Sequence, residues 1–237
     1  MLAVKNLRKD FTMFICEGKK IPSFGNVSFE VGASSLLAIT GPSGAGKSSL
    51  LKCVYRTYLP TEGEILYLDR NGGTVNLAEA DDWVILSLRR NEIGYVSQFF
   101  HAMPRVSALD TLIEPLITRG GDAAEAMDRA SEMLSSVGIG KALWDMYPST
   151  FSGGEKQRLN ILRAVITKPR LLLLDEPTAS LDRGYKERIM NMILALKEDG
   201  TAMLGVFHDR DALTCLSDAR YEMTLGEYCE IDRELFL

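Results

Sequence analysis

The chain of 237 residues is 46% hydrophobic and 25% charged, and it carries a formal net charge of −5. This acidic balance argues against a non-specific nucleic-acid binder, which usually presents a basic face. No apolar run approaches the roughly 18 residues that a membrane-spanning helix needs, so no direct membrane insertion is predicted. The cysteines have no metal-ligand spacing, which is typical of reduced thiols in a cytoplasmic protein: Cys16, Cys53, Cys215 and Cys229.

Apolar and polar residues alternate near the N-terminus, which predicts half-buried strands, whereas later continuous apolar runs predict buried parallel strands. Strands are predicted at 2–7, 27–31, 36–40, 65–68, 75–77, 93–96, 171–174, 202–207, 221–225 and 228–231. Helices are predicted from 47 to about 59, at about 79–89, at 109–116, at 123–137, from 152 onward, and at 189–196. The result is an α/β chain with a helical insert at about 99–163.

The stretch from Gly41 to Ser48 reads Gly-Pro-Ser-Gly-Ala-Gly-Lys-Ser and follows the predicted strand Leu36–Thr40. It fits the phosphate-loop pattern, in which a glycine-rich turn joins a strand to the N-terminus of a helix. Glycines let backbone N–H groups approach phosphate oxygens, and the helix N-terminus adds a partial positive charge. We expect Lys47 to contact the β- and γ-phosphates and the Ser48 hydroxyl to contact Mg²⁺. The predicted nucleotide-binding residues of this loop are Gly41, Pro42, Ser43, Gly44, Ala45, Gly46, Lys47, Ser48 and Ser49.

Two further patterns lie at the ends of predicted elements. The apolar run 171–174 leads into Asp175, suited to Mg²⁺, and Glu176, suited to orient and deprotonate a water that attacks a γ-phosphate. Upstream, Ser152 and Glu155 form an S-x-x-E capping box around two glycines, which predicts a helix start that can approach an anion. Taken alone, the two patterns also fit solvated carboxylates and a plain helix cap.

These motifs, in their order along the chain, resemble those of the ATP-binding-cassette (ABC) ATPases, and the resemblance covers essentially the whole chain. Residues 41–48 resemble the Walker A loop, 171–176 the Walker B strand, and 151–155 the signature Leu-Ser-Gly-Gly-Gln, from which Phe151 and Glu155 depart. The remaining matches are Gln98 to the Q-loop glutamine, Ser180, Leu181 and Asp182 to the D-loop, His208 to the switch histidine, and Phe11 to the adenine-stacking aromatic residue.

The resemblance implies a single domain over 1–237 with the ABC-ATPase P-loop fold. Such a domain has a RecA-like mixed sheet core, an N-terminal antiparallel β subdomain and a helical subdomain. In this family two cassettes pair head to tail, and each ATP lies between the Walker A loop of one and the signature of the other. The implied cofactors are ATP and Mg²⁺. The implied roles are catalysis by Glu176, His208 and Gln98, Mg²⁺ binding by Ser48, Gln98 and Asp175, and action on the partner's nucleotide by Ser152, Gly153, Gly154 and Glu155.

A narrower resemblance, to the PhnL family of the bacterial carbon–phosphorus lyase system, is carried by the stretches 59–63, 96–105, 147–155 and 206–209. It implies an ATPase that supports formation of ribose 1-phosphonate 5-triphosphate from ATP and a phosphonate. Its partners would be a second cassette, either another copy or the related K subunit, and the soluble lyase core subunits. The alternative is the nucleotide-binding subunit of a membrane transporter of the lipoprotein-release or macrolide-export type, because the catalytic motifs are identical in both.

Three apolar residues follow the predicted Q-loop glutamine: Phe99, Phe100 and Met103. They predict either an exposed docking patch or a contact that packs the helical insert onto the sheet. His101, in the same loop, is predicted to face the surface or a partner.

Overall fold

The structure, a computed structural model, describes residues 1–13, 19–100, 102–224 and 231–232. The strands in these ranges are β1 (Leu2–Met13), β2 (Lys19–Val31), β3 (Leu36–Thr40), β4 (Glu62–Leu68), β5 (Thr74–Asn76), β6 (Ile93–Val96), β7 (Leu171–Asp175), β8 (Ala202–Val206), β9 (Ala219–Glu222) and β10 (Ile231–Asp232). The helices are α1 (Lys47–Val54), α2 (Asp82–Asn91), α3 (Ala108–Thr118), α4 (Ala123–Ser136), α5 (Gly153–Val165), α6 (Arg183–Glu198) and α7 (Arg210–Leu216). Two short 3₁₀ turns, Lys141–Leu143 and Pro148–Thr150, lie between α4 and α5.

The N-terminal strands form an antiparallel sheet in the order β2-β1-β4-β5. Leu2 of β1 pairs with Val31 on one side and with Tyr67 on the other. All three side chains are buried, because the alternation of apolar and polar residues turns one face of the sheet towards the core. The predicted N-terminal antiparallel subdomain is therefore confirmed, although β1 and β2 extend beyond the predicted strands.

The second sheet has the order β10-β9-β3-β8-β7-β6, and its strands run parallel except for β10. Every residue of β7, which lies inside this sheet, is buried. Leu171 and Leu173 face the core shared with the antiparallel sheet, whereas Leu172 and Leu174 face the core formed with helices α3–α7. The continuous apolar run of β7 thus reflects a strand covered on both faces, as the sequence predicts.

Four parallel strands end at the same edge of this sheet. The register pairs Leu174 with Val96 on one side and with Gly205 on the other, and it pairs Ile39 with Val206. The loops that follow β3, β6, β7 and β8 therefore meet at this edge, which is where open α/β sheets bind ligands.

The helix after the phosphate loop is shorter than predicted. α1 ends at Val54, not near residue 59, because Arg56 adopts a left-handed backbone conformation with φ 67° that an α-helix does not accommodate. The Arg56 guanidinium donates to the carbonyl oxygens of Leu77 and Ala80, at 2.6 and 3.2 Å, and so holds the chain in this turn. The helix predicted from about residue 79 begins later in the structure, at Asp82. The residues before it form a turn instead, in which the Asn76 carbonyl oxygen accepts the Ala80 N–H.

The C-terminal part differs from the prediction in one helix. Sequence periodicity missed α7, which is too short to show a helical repeat. The predicted C-terminal hairpin is present in part, as the antiparallel pair β9–β10 with Tyr221 opposite Ile231. Residues 225–230, with the predicted turn at Gly226, lie outside the described residues, as do Cys16, His101 and Cys229. Among the helices that the structure describes, none is both long and apolar enough to cross a membrane.

Candidate functional site

The phosphate loop joins β3 to α1, and its geometry requires glycine at two positions. Gly41 and Gly46 have φ values of 129° and 90°. A Cβ at Gly41 would lie 2.1 Å from the Met223 carbonyl oxygen, and one at Gly46 would lie 2.7 Å from that of Ser23. Each position combines a left-handed backbone with a close approach from another part of the backbone, which only glycine tolerates.

Lys47, the first residue of α1, folds back over this loop. Its Nζ donates to the carbonyl oxygens of Gly41 and Pro42, each at 2.8 Å. Burial lowers the pKa of the Lys47 ammonium, and the nearby Glu176 and Asp175 carboxylates oppose that shift. The site thus holds a partly desolvated cation at a helix N-terminus, the position from which a P-loop lysine reaches phosphate oxygens.

Asp175, the last residue of β7, is buried and accepts from two hydroxyl groups. The Ser48 hydroxyl donates to Oδ1 at 2.9 Å, and the Tyr95 hydroxyl donates to Oδ2 at 3.3 Å. Burial raises the pKa of the Asp175 carboxyl, while these two hydrogen bonds lower it. The structure therefore brings together two of the predicted Mg²⁺ ligands, Ser48 from α1 and Asp175 from β7.

Glu176 lies between the other two predicted catalytic residues. Gln98 Nε2 donates to its Oε2 at 3.4 Å, and His208 Nε2 lies 2.9 Å from its Oε1. The Glu176 backbone is left-handed, with φ 52°, and its N–H donates to the Val206 carbonyl oxygen at 3.0 Å. A non-glycine residue in this region stores strain on the order of 1–3 kcal/mol, and such strain concentrates at functional sites.

The oxygen atoms at this edge suit a Mg²⁺ ion that is held jointly with a phosphate. Ser48 and Asp175 offer one hydroxyl and one carboxylate side by side. Over the described residues, no group of three or more His, Cys, Asp or Glu is placed to hold a metal ion by itself. Mg²⁺ typically takes such partial coordination from protein and completes its shell with waters and phosphate oxygens. Gln98, the third predicted ligand, lies at the same edge through its contact with Glu176.

Ser152 and Glu155 form the predicted capping box at the start of α5. The Ser152 N–H and hydroxyl donate to Glu155 Oε2 at 2.8 and 2.7 Å, and the Glu155 N–H donates to the Ser152 hydroxyl at 3.4 Å. The hydrogen bonds from Ser152 lower the pKa of Glu155. Glutamate therefore serves the cap at the position where the signature motif usually has glutamine.

Helix α5 rests on the loops that follow β6 and β7. Asn160 Nδ2 donates to the Ser97 carbonyl oxygen at 2.7 Å, and Gln157 Nε2 donates to that of Pro177 at 3.1 Å. Both side chains are buried. Sequence reasoning missed both residues, and it missed Tyr95 as well. The sequence signal for these residues is a polar side chain at a position where the helix or strand pattern predicts an apolar one.

Residues 180–182, the predicted D-loop, adjoin the start of α5. A Cβ on Gly154 would lie 3.4 Å from the Ser180 carbonyl oxygen. Leu181 is half-buried against the helical core. Asp182 caps α6, because its side chain accepts the Tyr185 N–H at 3.2 Å.

Among the described residues, the signature stretch 152–155 has its polar contacts elsewhere than on the phosphate loop of its own chain. In the part of the chain that the structure describes, no hydrogen bond or ion pair joins 152–155 to 41–49. Phe11 lies half-buried on β1, where its ring packs edge-on against Tyr58 with centroids 5.2 Å apart. The Lys9 ammonium is 4.9 Å from the Phe11 ring centroid. Apart from Phe11, the predicted site residues thus form one cluster at the sheet edge and a second one at the α5 N-terminus and the adjoining segment 180–182.

This fold is that of an ATP-binding cassette. The sequence profile of the ABC transporter family matches residues 24–179, which is more than half of the chain, and the chain belongs to this family. The fold class predicted from the sequence is confirmed.

Two relatives match nearly the whole chain. It is 35% identical over 230 residues to the lipoprotein-releasing system ATP-binding protein LolD of Hydrogenovibrio crunogenus (strain DSM 25203 / XCL-2), with 96% of this chain and 95% of that protein covered. It is 34% identical over 212 residues to the uncharacterized ABC transporter ATP-binding protein YvrO of Bacillus subtilis (strain 168), with 89% and 88% covered. One relative is named as the ATP-binding protein of a lipoprotein-releasing system and the other as that of an ABC transporter, and neither supports the narrower resemblance to PhnL.

Two solved structures share the fold along almost the full length. The dimeric structure of MJ0796, a bacterial ABC transporter cassette, matches with a TM-score of 0.86 at 30% identity, covering 98% of each chain. A dimeric post-hydrolysis state of the ATP-binding cassette MJ0796 bound to ADP and Pi matches with a TM-score of 0.85 at 31% identity, again covering 98% of each chain.

Glu155→Gln tests the capping box through the pH dependence of stability. The glutamine amide oxygen still accepts from Ser152 but does not titrate. Because the folded-state pKa of Glu155 lies below its ordinary value of 4.5, ionisation stabilises the wild type above pH 4.5, and this stabilisation is lost as the pH falls through the depressed pKa. Below pH 4.5 the free energy of unfolding should therefore fall more steeply for the wild type than for E155Q.

Urea denaturation at pH values between about 3 and 7 measures both curves. Glu155→Ala is the control, because it removes the carboxylate half of the capping box at every pH and leaves the Ser152 cap in place, so its curve should also lack the steeper fall below pH 4.5. Parallel curves for the wild type and E155Q would contradict the ionised capping box.

Proposed function

We propose that the chain is the ATP-hydrolysing subunit of an ABC transporter of the lipoprotein-release or macrolide-export type. The observation that carries the ATPase part is the Glu176 carboxylate, held between Gln98 and His208 beside the Asp175–Ser48 hydrogen bond. The names of the relatives LolD and YvrO support the transporter part. The site therefore combines a positioned base, a Mg²⁺-ligand pair and a phosphate loop at one sheet edge.

ATP binds with its triphosphate along residues 41–49. Loop and helix N–H groups donate to the phosphate oxygens, and Lys47 exchanges its two carbonyl partners for β- and γ-phosphate oxygens. This exchange replaces neutral acceptors by charged ones, so the hydrogen bonds become stronger. Phe11 offers its ring to the adenine. Ser48, Asp175 and Gln98 would hold Mg²⁺, which would supply positive charge beside the phosphates.

Glu176 acts as the general base for the water that attacks the γ-phosphate. Gln98 and His208 bond to different oxygens of its carboxylate, which fixes the direction in which the base points. A base positioned in this way contributes about 10²–10⁴-fold to the rate. Because Gln98 and His208 follow β6 and β8, the contacts around Glu176 also connect the nucleotide to two further loops.

A second copy completes the site. The N-terminus of α5, at residues 152–155, favours an anion. Its polar contacts in the described structure do not include the phosphate loop of the same chain. In a head-to-tail pair each copy directs this N-terminus at the nucleotide of the other. The dimeric structures of MJ0796 support the pairing of two cassettes.

The loop after β6 offers a docking surface beside Gln98. Phe99 and Met103 expose 71% and 61% of their surface, whereas Phe100 packs against the helical core. Phe99 and Met103 therefore fit the prediction of an exposed docking patch, and Phe100 fits the alternative of packing against the helical part. Exposed apolar side chains of this kind mark interaction sites, and in the proposed transporter they contact the membrane subunit.

A second candidate function is support of phosphonate breakdown by a carbon–phosphorus lyase complex. Its basis is the sequence of the stretches 96–105 and 147–155, which resemble the PhnL family. It uses the same ATPase site, with soluble lyase subunits or the related K subunit as partners. The named transporter relatives favour the first candidate.

Glu176→Gln should separate ATP binding from hydrolysis. The amide keeps the side-chain shape but is no base, while Lys47, Ser48 and Asp175 still hold Mg-ATP. Steady-state hydrolysis should fall by about 10²–10⁴-fold. ATP should then persist between two chains, so light scattering should show a dimer that depends on Mg-ATP.

Ser152→Arg in the E176Q chain is the control, because a bulky cation blocks the signature side only. The double variant should be monomeric with Mg-ATP and should still bind nucleotide by calorimetry. Hydrolysis by E176Q at the wild-type rate would show that Glu176 is not the base. A monomeric E176Q chain saturated with ATP would exclude the homodimer.

The partner of the chain distinguishes the two candidate functions. Affinity purification of the tagged chain from detergent-solubilised cells of its own host should yield a polytopic membrane protein in stoichiometric amount. A variant with Phe99→Ser and Met103→Ser should lose this partner and keep ATP binding.

Deletion of the gene should leave growth on methylphosphonate as sole phosphorus source unchanged. Loss of that growth, with normal growth on phosphate, would instead establish the phosphonate function.

A further inference from the structure

Two lysines of α6 tie this helix to the two ends of α7. Lys186 lies in the first turn of α6 and Lys197 in the last, and their spacing of about three helical turns places both on one face. The Lys186 ammonium bonds to the Asp209 carboxylate at the start of α7. Lys197 Nζ donates to the Leu216 carbonyl oxygen at 3.1 Å and to Asp218 Oδ1 at 2.9 Å, at the end of α7.

The Lys186 pair lies directly beside the switch histidine. Asp209 follows His208 in the chain and caps α7, because its Oδ1 accepts the N–H groups of Asp211 and Ala212 at 2.8 and 3.2 Å. Its other oxygen, Oδ2, accepts from Lys186. The hydrogen bond from Lys186 lowers the pKa of Asp209, which favours the ionised carboxylate that this clamp needs. One carboxylate thus joins the backbone next to His208 to α6.

Two buried residues flank the segment that carries His208. Phe207, directly before His208, and Ala212, in the first turn of α7, are buried in the same core as Ile193 of α6. Among the described residues, the side chain of His208 itself contacts Glu176 alone. Phe207 therefore anchors the chain before His208, and the Asp209 clamp anchors it after His208.

We propose that Lys186 is a positioning residue for ATP hydrolysis, which fixes Asp209 and thereby the direction in which His208 meets Glu176. The inference rests on the catalytic role proposed above for His208, and it extends that role to a residue outside the nucleotide site. Because Asp182 caps α6 and its carbonyl oxygen accepts the Lys186 N–H at 2.9 Å, Lys186 also connects the segment 180–182 to His208. A displacement of that segment in the dimer thus reaches the Glu176 carboxylate through Lys186, Asp209 and His208.

Lys186→Gln in the full chain is the test, with Lys197→Gln as a matched control. The two lysines belong to the same helix and have side-chain exposures of 15% and 16%. Both substitutions remove one clamp of α7, so both should lower the unfolding temperature by a similar amount. Only K186Q should lower kcat for ATP hydrolysis, by about tenfold with KM unchanged, because it misaligns a group that acts after binding. Lys186→Arg should restore most of kcat.

A cycle with His208→Ala shows whether Lys186 acts through the histidine. H208A should lower single-turnover hydrolysis, and K186Q should cause no further loss in the H208A background. A wild-type kcat for K186Q, an equal loss for K197Q, or a full additional loss in the H208A background would each overturn the inference. Wild-type turnover of H208A would overturn the proposed role of His208 itself, and these two failures are therefore distinguishable.

Discussion

Two neighbouring carboxylates at the end of β7 hold together the loops from which the site is built. Asp175 is buried and accepts from Ser48 and Tyr95, while Glu176 accepts from Gln98 and pairs with His208. A buried ionised carboxylate is costly unless hydrogen-bond donors surround it. The ionised form of Asp175 therefore depends on the hydroxyl donors that α1 and β6 supply. One strand end thereby fixes the relative positions of the phosphate loop, the loop after β6 and the loop after β8.

The same arrangement leaves the site divided between two chains in the proposed mechanism. The capping box satisfies the start of α5 within one chain, and Gln157 connects that helix to the loop after β7. Contact of the Ser152 end with a partner's ATP would therefore be transmitted to the segment that carries Glu176. In that mechanism, hydrolysis and association are properties of the pair.

Much of this organisation follows from the sequence, because its signals are local. Residues 36–48 and 171–176 combine a buried strand with a fixed motif, and Ser152 and Glu155 form a cap that their spacing of three residues defines. The roles of Tyr95, Asn160 and Lys186 could not be predicted, because each depends on a partner far along the chain. The early end of α1 was also hidden, since it depends on a tertiary contact of the Arg56 guanidinium with the carbonyl oxygens of residues 77 and 80. Family resemblance identified the cassette, but the shared catalytic motifs did not determine its partner.

A mixture of two inactive chains tests the divided site most directly. A Lys47→Ala chain lacks the phosphate contact but keeps its signature residues, and a Ser152→Arg chain has the opposite defect. Each alone should hydrolyse little ATP. In a head-to-tail heterodimer one complete site forms, so an equal mixture should reach roughly a quarter of the wild-type rate per chain if half the dimers are mixed and the sites act independently. A mixture no more active than the sum of its two components would contradict a site shared between chains.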